Sequence, residues 1–306
     1  MKPKLLIIAG PTAVGKSHLV SELAGAVDAE IISADSQQVY RQMDIGTAKP
    51  SKEERDLIRY HLIDVVDPDE VFNVAKFRQM ATESAAEIRL RGRRVLVCGG
   101  TGLYIKALTQ GLFTVPTADA ALKAALSLAA EQGGLGALYE QLRWVDPSAA
   151  SWIHPNDRQR IIRALEVYRS TGKPISEWQQ HHAFSDSTFE TFKIGLWRER
   201  TALYDRIEQR CDHMIEAGLI EEVKELFHKG YSFELKSLQS VGYRQIGSFL
   251  QGQMTLEQAL SMMKRETRRL AKRQLTWFRS DREMHWFHPE ADGGKIRRLA
   301  EEFLNS

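Results

Sequence analysis

A glycine-rich segment near the start of the chain has the residue types and spacing of an anion-binding loop. It fits the pattern G-x-x-x-x-G-K-[ST], known as the P-loop. The glycines let the backbone curl so that several N–H groups point at one anion, and the lysine adds a positive charge. The terminal hydroxyl is suited to bind a Mg²⁺ that bridges phosphate oxygens. The predicted site comprises Gly10, Pro11, Thr12, Ala13, Val14, Gly15, Lys16 and Ser17, with Ser17 as the metal ligand.

The P-loop predicts a bound di- or triphosphate with magnesium, but it leaves the reaction open. Phosphate is transferred, hydrolysed or expelled as a leaving group in different P-loop proteins. A P-loop ATPase usually ends a later strand on an acidic residue that supports Mg²⁺. Here the apolar run 95–98 is followed by Gly-Gly-Thr, and the carboxylate nearest in type is Asp35.

Asp35 and Thr101 each follow an apolar run that reads as a strand. The carboxyl ends of parallel strands meet at one ligand crevice, so we expect Ser17, Asp35 and Thr101 to face one cavity. The alternative for Asp35 is a helix cap or turn former, and for Thr101 a turn residue. Near a diphosphate, a carboxylate can hold Mg²⁺ through water or take a proton from an attacking group. If that group is an amine, the loop and Mg²⁺ would stabilise charge on a departing diphosphate.

Alternating strand and helix patterns supply the frame for these residues. We predict strands at 4–10, 30–36, 94–98 and 192–197, a weaker one at 61–66, and helices at 17–27 and 73–91. Such alternation indicates an α/β fold with a parallel sheet flanked by helices.

The pattern becomes almost purely helical between residues 117 and 182. Helices are predicted at 119–131, 135–142 and 157–170, and later at 203–227, with an interruption at Gly218, and at 256–278. We therefore predict a first part of the core at 1–115, a helical insertion domain at 116–190 and completion of the core at 191–306.

Composition limits the class of protein. The 306 residues are 43% hydrophobic, which excludes a disordered, collagen-like or disulfide-stapled chain. Lys and Arg number 42 against 40 acidic residues, so a nucleic acid would have to be held by a local basic patch. Cys98 and Cys211 have no zinc-site spacing and fit a reducing compartment. The apolar run 5–9 is too short for a signal peptide or a membrane span, so we expect a cytoplasmic protein.

Two groups of basic residues are candidates for a polyanion surface. Eight Lys and Arg residues lie between 264 and 282, and Arg158, Arg160 and Arg163 lie in the predicted insertion. A solvated helix face is the alternative for the first group, and clustering on a near-neutral chain favours a phosphate backbone. The six tryptophans are more typical of core positions than of base-stacking platforms.

Together these segments resemble one known family, the tRNA dimethylallyltransferases, also called tRNA isopentenyltransferases. The resemblance runs from residue 10 to 279, nearly the whole chain. The matching segments are GPTAVGKS (10–17), DSQQVYRQMDIGTAKP (35–50), HLID (61–64), DPDEVFNVAKFR (67–78), GGTGLYIKAL (99–108), DPSAASWIHPNDRQRIIRALEVY (146–168), RIEQR (206–210), VGYRQ (241–245) and AKRQLTWFR (271–279). Tyr60-His61 stands where a His-His pair is common, and the eukaryotic zinc finger is missing, which indicates a bacterial-type enzyme.

The resemblance implies a P-loop NTPase-like core and transfer of a dimethylallyl group from dimethylallyl diphosphate to an exocyclic adenosine amine. That adenosine lies just 3′ of the anticodon in tRNAs that read codons starting with U. By resemblance, Asp35 is the general base, Thr101 contacts the reacting centre, Arg210 binds the diphosphate and Mg²⁺ is the cofactor. An adenine stacked in a loop must be extruded to reach such a cavity.

The resemblance also implies contacts to the anticodon stem-loop, made by a protein that we expect to be monomeric. The implied contact residues are Asp35, Ser36, Gln37, Gln38, Thr101, Lys123, Gln159, Arg160, Ile161, Ile162, Arg163, Gly242, Tyr243, Arg244 and Gln245. Two other functions stay open at this point: a P-loop kinase for a nucleoside or small alcohol, and an RNA-binding module gated by a nucleoside triphosphate.

Overall fold

A six-stranded sheet forms the centre of the computed structural model, which describes residues 2–112, 120–182 and 188–306. The strands lie in the order β3-β2-β4-β1-β5-β6, and every neighbouring pair is parallel. The strands are β1 (Lys4–Ala9), β2 (Ala29–Ser33), β3 (Tyr60–His61), β4 (Arg94–Gly99), β5 (Glu190–Leu196) and β6 (Met284–Phe287). Residues 5–9 of β1 are fully buried because strands pair on both of its sides, which explains their continuous apolar run.

The chain separates into two compact units, Met1–Thr109 with Thr188–Ser306, and Gln110–Ser187. The first unit contains the sheet and two sets of helices. The set before the second unit is α1 (Lys16–Val27), α2 (Lys52–Leu57), α3 (Val74–Leu90) and α4 (Gly102–Gln110). Asn73 caps α3 by accepting the N–H groups of Ala75 and Lys76, as its residue type predicts.

The second unit has its own apolar core, built by helices alone within the described residues. Its helices are α5 (Ala120–Gln132), α6 (Leu135–Val145), α7 (Pro147–Trp152), α8 (Arg158–Thr171) and α9 (Ile175–His182). The predicted helix start at Asp119 and the predicted boundary at 115–116 lie outside the described residues. The expectation of core positions for tryptophan is wrong at Trp144, Trp152 and Trp277, which are 88%, 47% and 40% exposed.

The remaining helices complete the first unit after β5. They are α10 (Arg200–Glu216), α11 (Leu219–His228), α12 (Tyr243–Leu250), α13 (Leu256–Arg279) and α14 (Gly293–Asn305). Helix α13 begins at a capping box formed by Thr255 and Gln258, and it buries Ala259, Met263 and Phe278 along one side. In the described part of the chain, no helix is long and apolar enough to span a membrane.

The predicted strands and long helices are present, with shifts of a few residues at their ends. The weaker third strand is shorter than predicted, because only Tyr60 and His61 pair with β2. The sequence patterns miss β6 and the helices α2, α4, α7, α9, α12 and α14, and all of these except α14 are short.

A buried carboxylate ties β2 to its neighbours. Glu30 accepts two hydrogen bonds from Arg91, at 2.9 and 2.8 Å, and lies 2.6 Å from His61 Nε2. Burial by itself raises the pKa of Glu30, but the bonds from Arg91 and His61 outweigh it and lower the pKa to about 2. The ionised form is therefore strongly preferred in the folded protein.

Substitution Glu30→Gln is expected to lower the free energy of unfolding by about 3 kcal/mol at pH 7. A depressed carboxyl pKa contributes stability that is complete above the unfolded value and is lost as pH falls through about 2. Urea unfolding at several pH values should therefore show a flatter acid dependence in the variant. Glu87→Gln is the control, because Glu87 lies 4.0 Å from Arg91 but is 63% exposed. Equal acid dependence in both variants would contradict the role of Glu30.

Candidate active site

The P-loop connects β1 to α1 and has several residues with positive φ. Gly10 has φ 154°, and a Cβ there would lie 2.8 Å from the Leu196 carbonyl oxygen, so this position requires glycine. Ala13 and Gly15 also have positive φ, at 63° and 110°. This alternation is the geometry of an anion-binding nest.

Cationic side chains hold the carbonyl oxygens of this loop. The bonds run from Lys16 Nζ to the carbonyls of Gly10 (3.0 Å) and Pro11 (2.8 Å), from Arg206 Nε to Ala13 (3.0 Å) and from Arg198 Nε to Val14 (2.8 Å). The backbone N–H groups of Ala13, Gly15, Lys16 and Ser17 have no partner among the described residues. These four donors, at the positive end of α1, are free to bind an anion.

Lys16 supplies a charge whose state depends on its surroundings. Burial lowers the pKa of its ammonium group to about 8, against opposing effects of Cys98 and Asp35. A bound diphosphate would place negative charge beside it and favour the protonated form.

Asp35 lies just beyond β2 with its two carboxylate oxygens in different surroundings. Oδ1 accepts the N–H of Gln37 at 2.8 Å and, more weakly, that of Gln38 at 3.4 Å. Oδ2 has no hydrogen-bond partner among the described residues, so it can accept a proton or bind a ligand. Thr101 Oγ1 accepts the Ser36 N–H at 3.0 Å, which leaves the Thr101 hydroxyl proton available.

Two adjoining cavities meet at these residues. A small one of about 70 Å³ is lined by Lys16, Ser17, Asp35 and Arg210, among others. A larger one of about 630 Å³ is lined by Asp35, Thr101 and Arg210. Since Asp35 and Arg210 line both, the two cavities adjoin at these residues. Ser17 lines only the small cavity and Thr101 only the larger one, so the three residues do not face a single cavity as predicted.

Arg210 lies at the junction without a counterion. Its guanidinium makes no ion pair or hydrogen bond within the described residues. Burial lowers its pKa, although Asp35 opposes that effect. Arg206, one turn earlier, is already bonded to the Ala13 carbonyl. Of these two arginines, Arg210 is therefore the one that is free to bind an anionic group of a ligand.

The predicted tRNA contacts of the first unit fall into two groups. Ser36, Gln37 and Arg244 line the larger cavity. The Gln38 side chain instead bonds to Ser33, Thr47 and Ala48 inside the protein. Gly242 and Gln245 form the start of α12 through a bond between the Gly242 N–H and Gln245 Oε1, and Tyr243 is 1% exposed. The side chains of Tyr243 and Gln245 are therefore buried in this conformation, and their predicted contact to RNA stays a prediction.

In the second unit, the N-terminal part of α8 presents the predicted side chains in two directions. Gln159, Arg160 and Arg163 are exposed, although Arg160 lies 3.4 Å from Asp157 and Arg163 lies 3.2 Å from Glu166. Ile161 and Ile162 belong to the core, at 0% and 7% exposure. Their side chains pack inward, because a helix that exposes 159, 160 and 163 turns 161 and 162 toward the core, and their predicted RNA contact stays a prediction. Lys123 is exposed on α5.

Several basic side chains of α13 are neutralised by ion pairs with acidic residues. Lys264 pairs with Asp212, Arg268 with Glu208 and Arg269 with Glu266. Arg273 lines the larger cavity, and Lys272, Arg279 and Arg282 are exposed. The polyanion surface predicted here is therefore smaller than the count of basic residues indicates.

Gln274 is a site residue that the sequence patterns do not single out, although it lies within the AKRQLTWFR segment. Its Oε1 accepts the Thr12 N–H at 2.9 Å, and its Nε2 donates to the Gly100 carbonyl at 3.0 Å. One side chain from α13 thus links the P-loop to the glycine-rich loop that carries Thr101.

Comparisons with known proteins agree with this geometry. The family model described as IPP transferase matches residues 38–281. The chain belongs to this family. It is 50% identical over 291 residues to tRNA dimethylallyltransferase 2 of Geotalea uraniireducens, covering 95% of this chain and 94% of that one. It is also 50% identical over 285 residues to the tRNA dimethylallyltransferase of Geobacter metallireducens, covering 93% and 92%.

Solved structures of this IPP transferase family have the same fold. The tRNA isopentenylpyrophosphate transferase of Bacillus halodurans superimposes with a TM-score of 0.73 at 42% identity, covering 99% of this chain and 97% of that one. A eukaryotic dimethylallyltransferase acting on tRNA gives 0.82 at 29% identity, covering 97% and 77%. The predicted P-loop NTPase-like α/β fold and the predicted prenyltransferase family are confirmed.

Binding of a diphosphate monoester should weaken as pH rises through about 8, because the free Lys16 ammonium loses its proton there. Isothermal titration calorimetry between about pH 7 and 9 measures this dependence. The Lys16→Met variant should bind the diphosphate more weakly and with no change in affinity across this pH range. Lys52→Met, at an exposed site on α2, should behave as wild type. A wild-type affinity that is constant across this range would contradict the assignment.

Proposed function

We propose that this protein transfers a dimethylallyl group from dimethylallyl diphosphate to the exocyclic amine of the adenosine 3′-adjacent to the anticodon, in tRNAs that read codons starting with U. One observation carries the proposal: Asp35, whose Oδ2 makes no hydrogen bond among the described residues, lines both the phosphate cavity and the larger one. The names of the closely related enzymes support the same substrates. No observation favours the kinase or the RNA-binding module.

The phosphate cavity suits a leaving group. The free N–H groups of the loop, Lys16 and Arg210 would bind the diphosphate and stabilise the charge it gains as it departs. The Ser17 hydroxyl lines the same cavity and, together with oxygens of the diphosphate itself, would offer the hard oxygen ligands that Mg²⁺ prefers. When bound, Mg²⁺ would neutralise negative charge on the diphosphate. The fit of these oxygens supports Mg²⁺ as the cofactor.

Asp35 acts as the general base in this proposal. The amine nitrogen bonds to the allylic carbon while the carbon–oxygen bond to the diphosphate breaks, and that electron pair leaves with the diphosphate. The nitrogen proton moves to Asp35 Oδ2, which makes no other hydrogen bond in the described structure. Oδ1 stays bonded to the Gln37 N–H, so the carboxylate keeps its orientation during the transfer.

The larger cavity would receive the adenine from the RNA side. A stacked base cannot reach Asp35 without leaving its loop, so we propose that the adenosine is flipped out. Ser36, Gln37 and Arg244 line its path, and the exposed Gln159, Arg160, Arg163 and Lys123 of the second unit would contact the anticodon stem-loop. We further propose a monomeric, cytoplasmic, bacterial-type enzyme, in keeping with its RNA substrate and its two unpaired cysteines.

Asp35→Asn should lower the rate of transfer by about 10²–10⁴-fold, because the amide preserves the bond to Gln37 but cannot take a proton. The assay incubates unmodified tRNA, Mg²⁺ and labelled dimethylallyl diphosphate and follows label into the RNA. Asp56→Asn, at an exposed position of α2, is the control. Unchanged turnover in Asp35→Asn would show that Asp35 is not the general base.

Combining Arg160→Ala with Arg163→Ala should weaken tRNA binding and reduce its salt dependence by about one unit of slope for each phosphate that the variant no longer binds. Binding is measured by filter retention over a series of salt concentrations. Arg143→Ala provides the control, since Arg143 is an exposed arginine of α6 that pairs with Glu140. If the slope is the same in all three proteins, these two arginines do not bind RNA phosphates.

A further inference from the structure

We infer that Glu222 is a positioning residue for the transfer reaction, acting through residues 44–48, which we call the wall loop. Gly46 and Thr47 of the wall loop line the larger cavity, which Asp35 also lines. Glu222 itself lies on α11 and does not line either cavity within the described residues. The inference rests on the proposed function and adds a residue to it.

The Glu222 carboxylate collects four donors. Its Oε2 accepts the N–H groups of Asp44 at 2.9 Å and Ile45 at 2.7 Å. Its Oε1 accepts the Gly46 N–H at 3.2 Å and the Tyr243 hydroxyl. Hydrogen bonds to an ionised acceptor are about twice as strong as neutral ones. One charged group therefore fixes three successive peptide units of the wall loop.

The wall loop has little freedom once it is held in this way. A Cβ at Gly46 would lie 2.4 Å from the Tyr243 ring, so the loop backbone packs directly on that ring. The Lys49 ammonium bonds to the Asp44 carboxylate and to the Tyr40 carbonyl, both at 2.6 Å. These contacts place the loop close to α12 and leave the N–H groups of residues 44–46 directed at Glu222.

Hydrogen bonds lead from the wall loop to the base. Gln38 Nε2 donates to the carbonyls of Thr47 at 3.4 Å and Ala48 at 3.1 Å. The Gln38 N–H donates in turn to Asp35 Oδ1 at 3.4 Å, and Gln38 Oε1 accepts from Ser33. A shift of the wall loop would therefore change the position of Gln38, and with it the turn that orients the Asp35 carboxylate.

The same carboxylate also contacts α12, through the Tyr243 hydroxyl. Burial and the nearby negative charge of Glu222 raise the pKa of Tyr243 well above its usual value, so its hydroxyl remains a donor. The next residue on α12 is Arg244, which lines the larger cavity. Glu222 thus holds two cavity walls, one next to Asp35 and one carrying Arg244, at a fixed separation.

If Glu222 has only a structural role, its substitution should lower the stability of the protein and nothing else. If it is a positioning residue, its substitution should slow the transfer reaction while diphosphate binding stays intact. Misplacing reacting groups by about 1 Å can cost about 10²-fold in rate. Glu222→Gln preserves size, but its NH₂ group cannot accept, so at least two of the four donors are left without their acceptor. No contact of Glu222 reaches the P-loop, so the diphosphate site should keep its affinity.

The experiment compares Glu222→Gln with Glu221→Gln, the exposed neighbour whose side chain is 68% accessible. We expect Glu222→Gln to lower kcat for labelled transfer into tRNA by about 10–100-fold, with the KM for dimethylallyl diphosphate within about twofold of wild type. Hydrogen exchange of a peptide covering 43–48 should become faster only in this variant. Glu221→Gln should match wild type in all three measurements.

Tyr243→Phe removes one donor to Glu222 and leaves the three backbone bonds in place. This variant tests the inference if Glu222→Gln does not fold. It should leave exchange at 43–48 unchanged and lower kcat by a smaller factor, about threefold, because only the link to α12 is removed. Wild-type kcat in the folded variants, or a fall in kcat matched by an equal loss of diphosphate affinity, would overturn the inference. Absence of transfer by wild-type protein would instead reject the proposed function, before any variant is compared.

Discussion

The site depends on keeping opposite charges close without letting them pair. Lys16 and Asp35 interact through space, yet no ion pair joins them: the ammonium bonds to carbonyls of its own loop, and Asp35 Oδ1 accepts backbone N–H groups. A direct ion pair would neutralise both the anion site and the base. In the proposed reaction, these local backbone partners would leave a cation available for the diphosphate and a carboxylate oxygen available for the amine proton.

This arrangement is completed by residues from the far end of the chain. Gln274 bonds to the Thr12 N–H and to the Gly100 carbonyl, across sequence separations of 262 and 174 residues. Helix α13 packs on α10, which carries Arg210, and on α12, which carries Arg244. The sheet thus supplies the loops, and the helices after β5 fix the distance between those loops.

The features that are local in sequence were predictable, and those that depend on long-range pairing were not. The P-loop and Asp35 follow buried strands, so motif and periodicity locate them. Gln274 and Glu222 act through partners more than 170 residues away, and no short pattern encodes such a pair. Strand β6 has only four residues, which is too short for a period of two to be recognised. The RNA contacts and the division into domains stay predictions.

Charge at the cavities offers a way for a nearly neutral protein to bind the two anionic substrates of the proposed reaction, a diphosphate and an RNA. Residue counts overstate the basic surface of α13, because Lys264 and Arg268 are paired with acids of α10. The two joined cavities nevertheless expose four cationic side chains, Lys16, Arg210, Arg244 and Arg273, against the acids Asp35 and Glu266. Since the low-dielectric walls of a cleft focus the field of its charges, the attraction for phosphate is concentrated where the reaction takes place. The remaining surface can then be close to neutral without weakening the site.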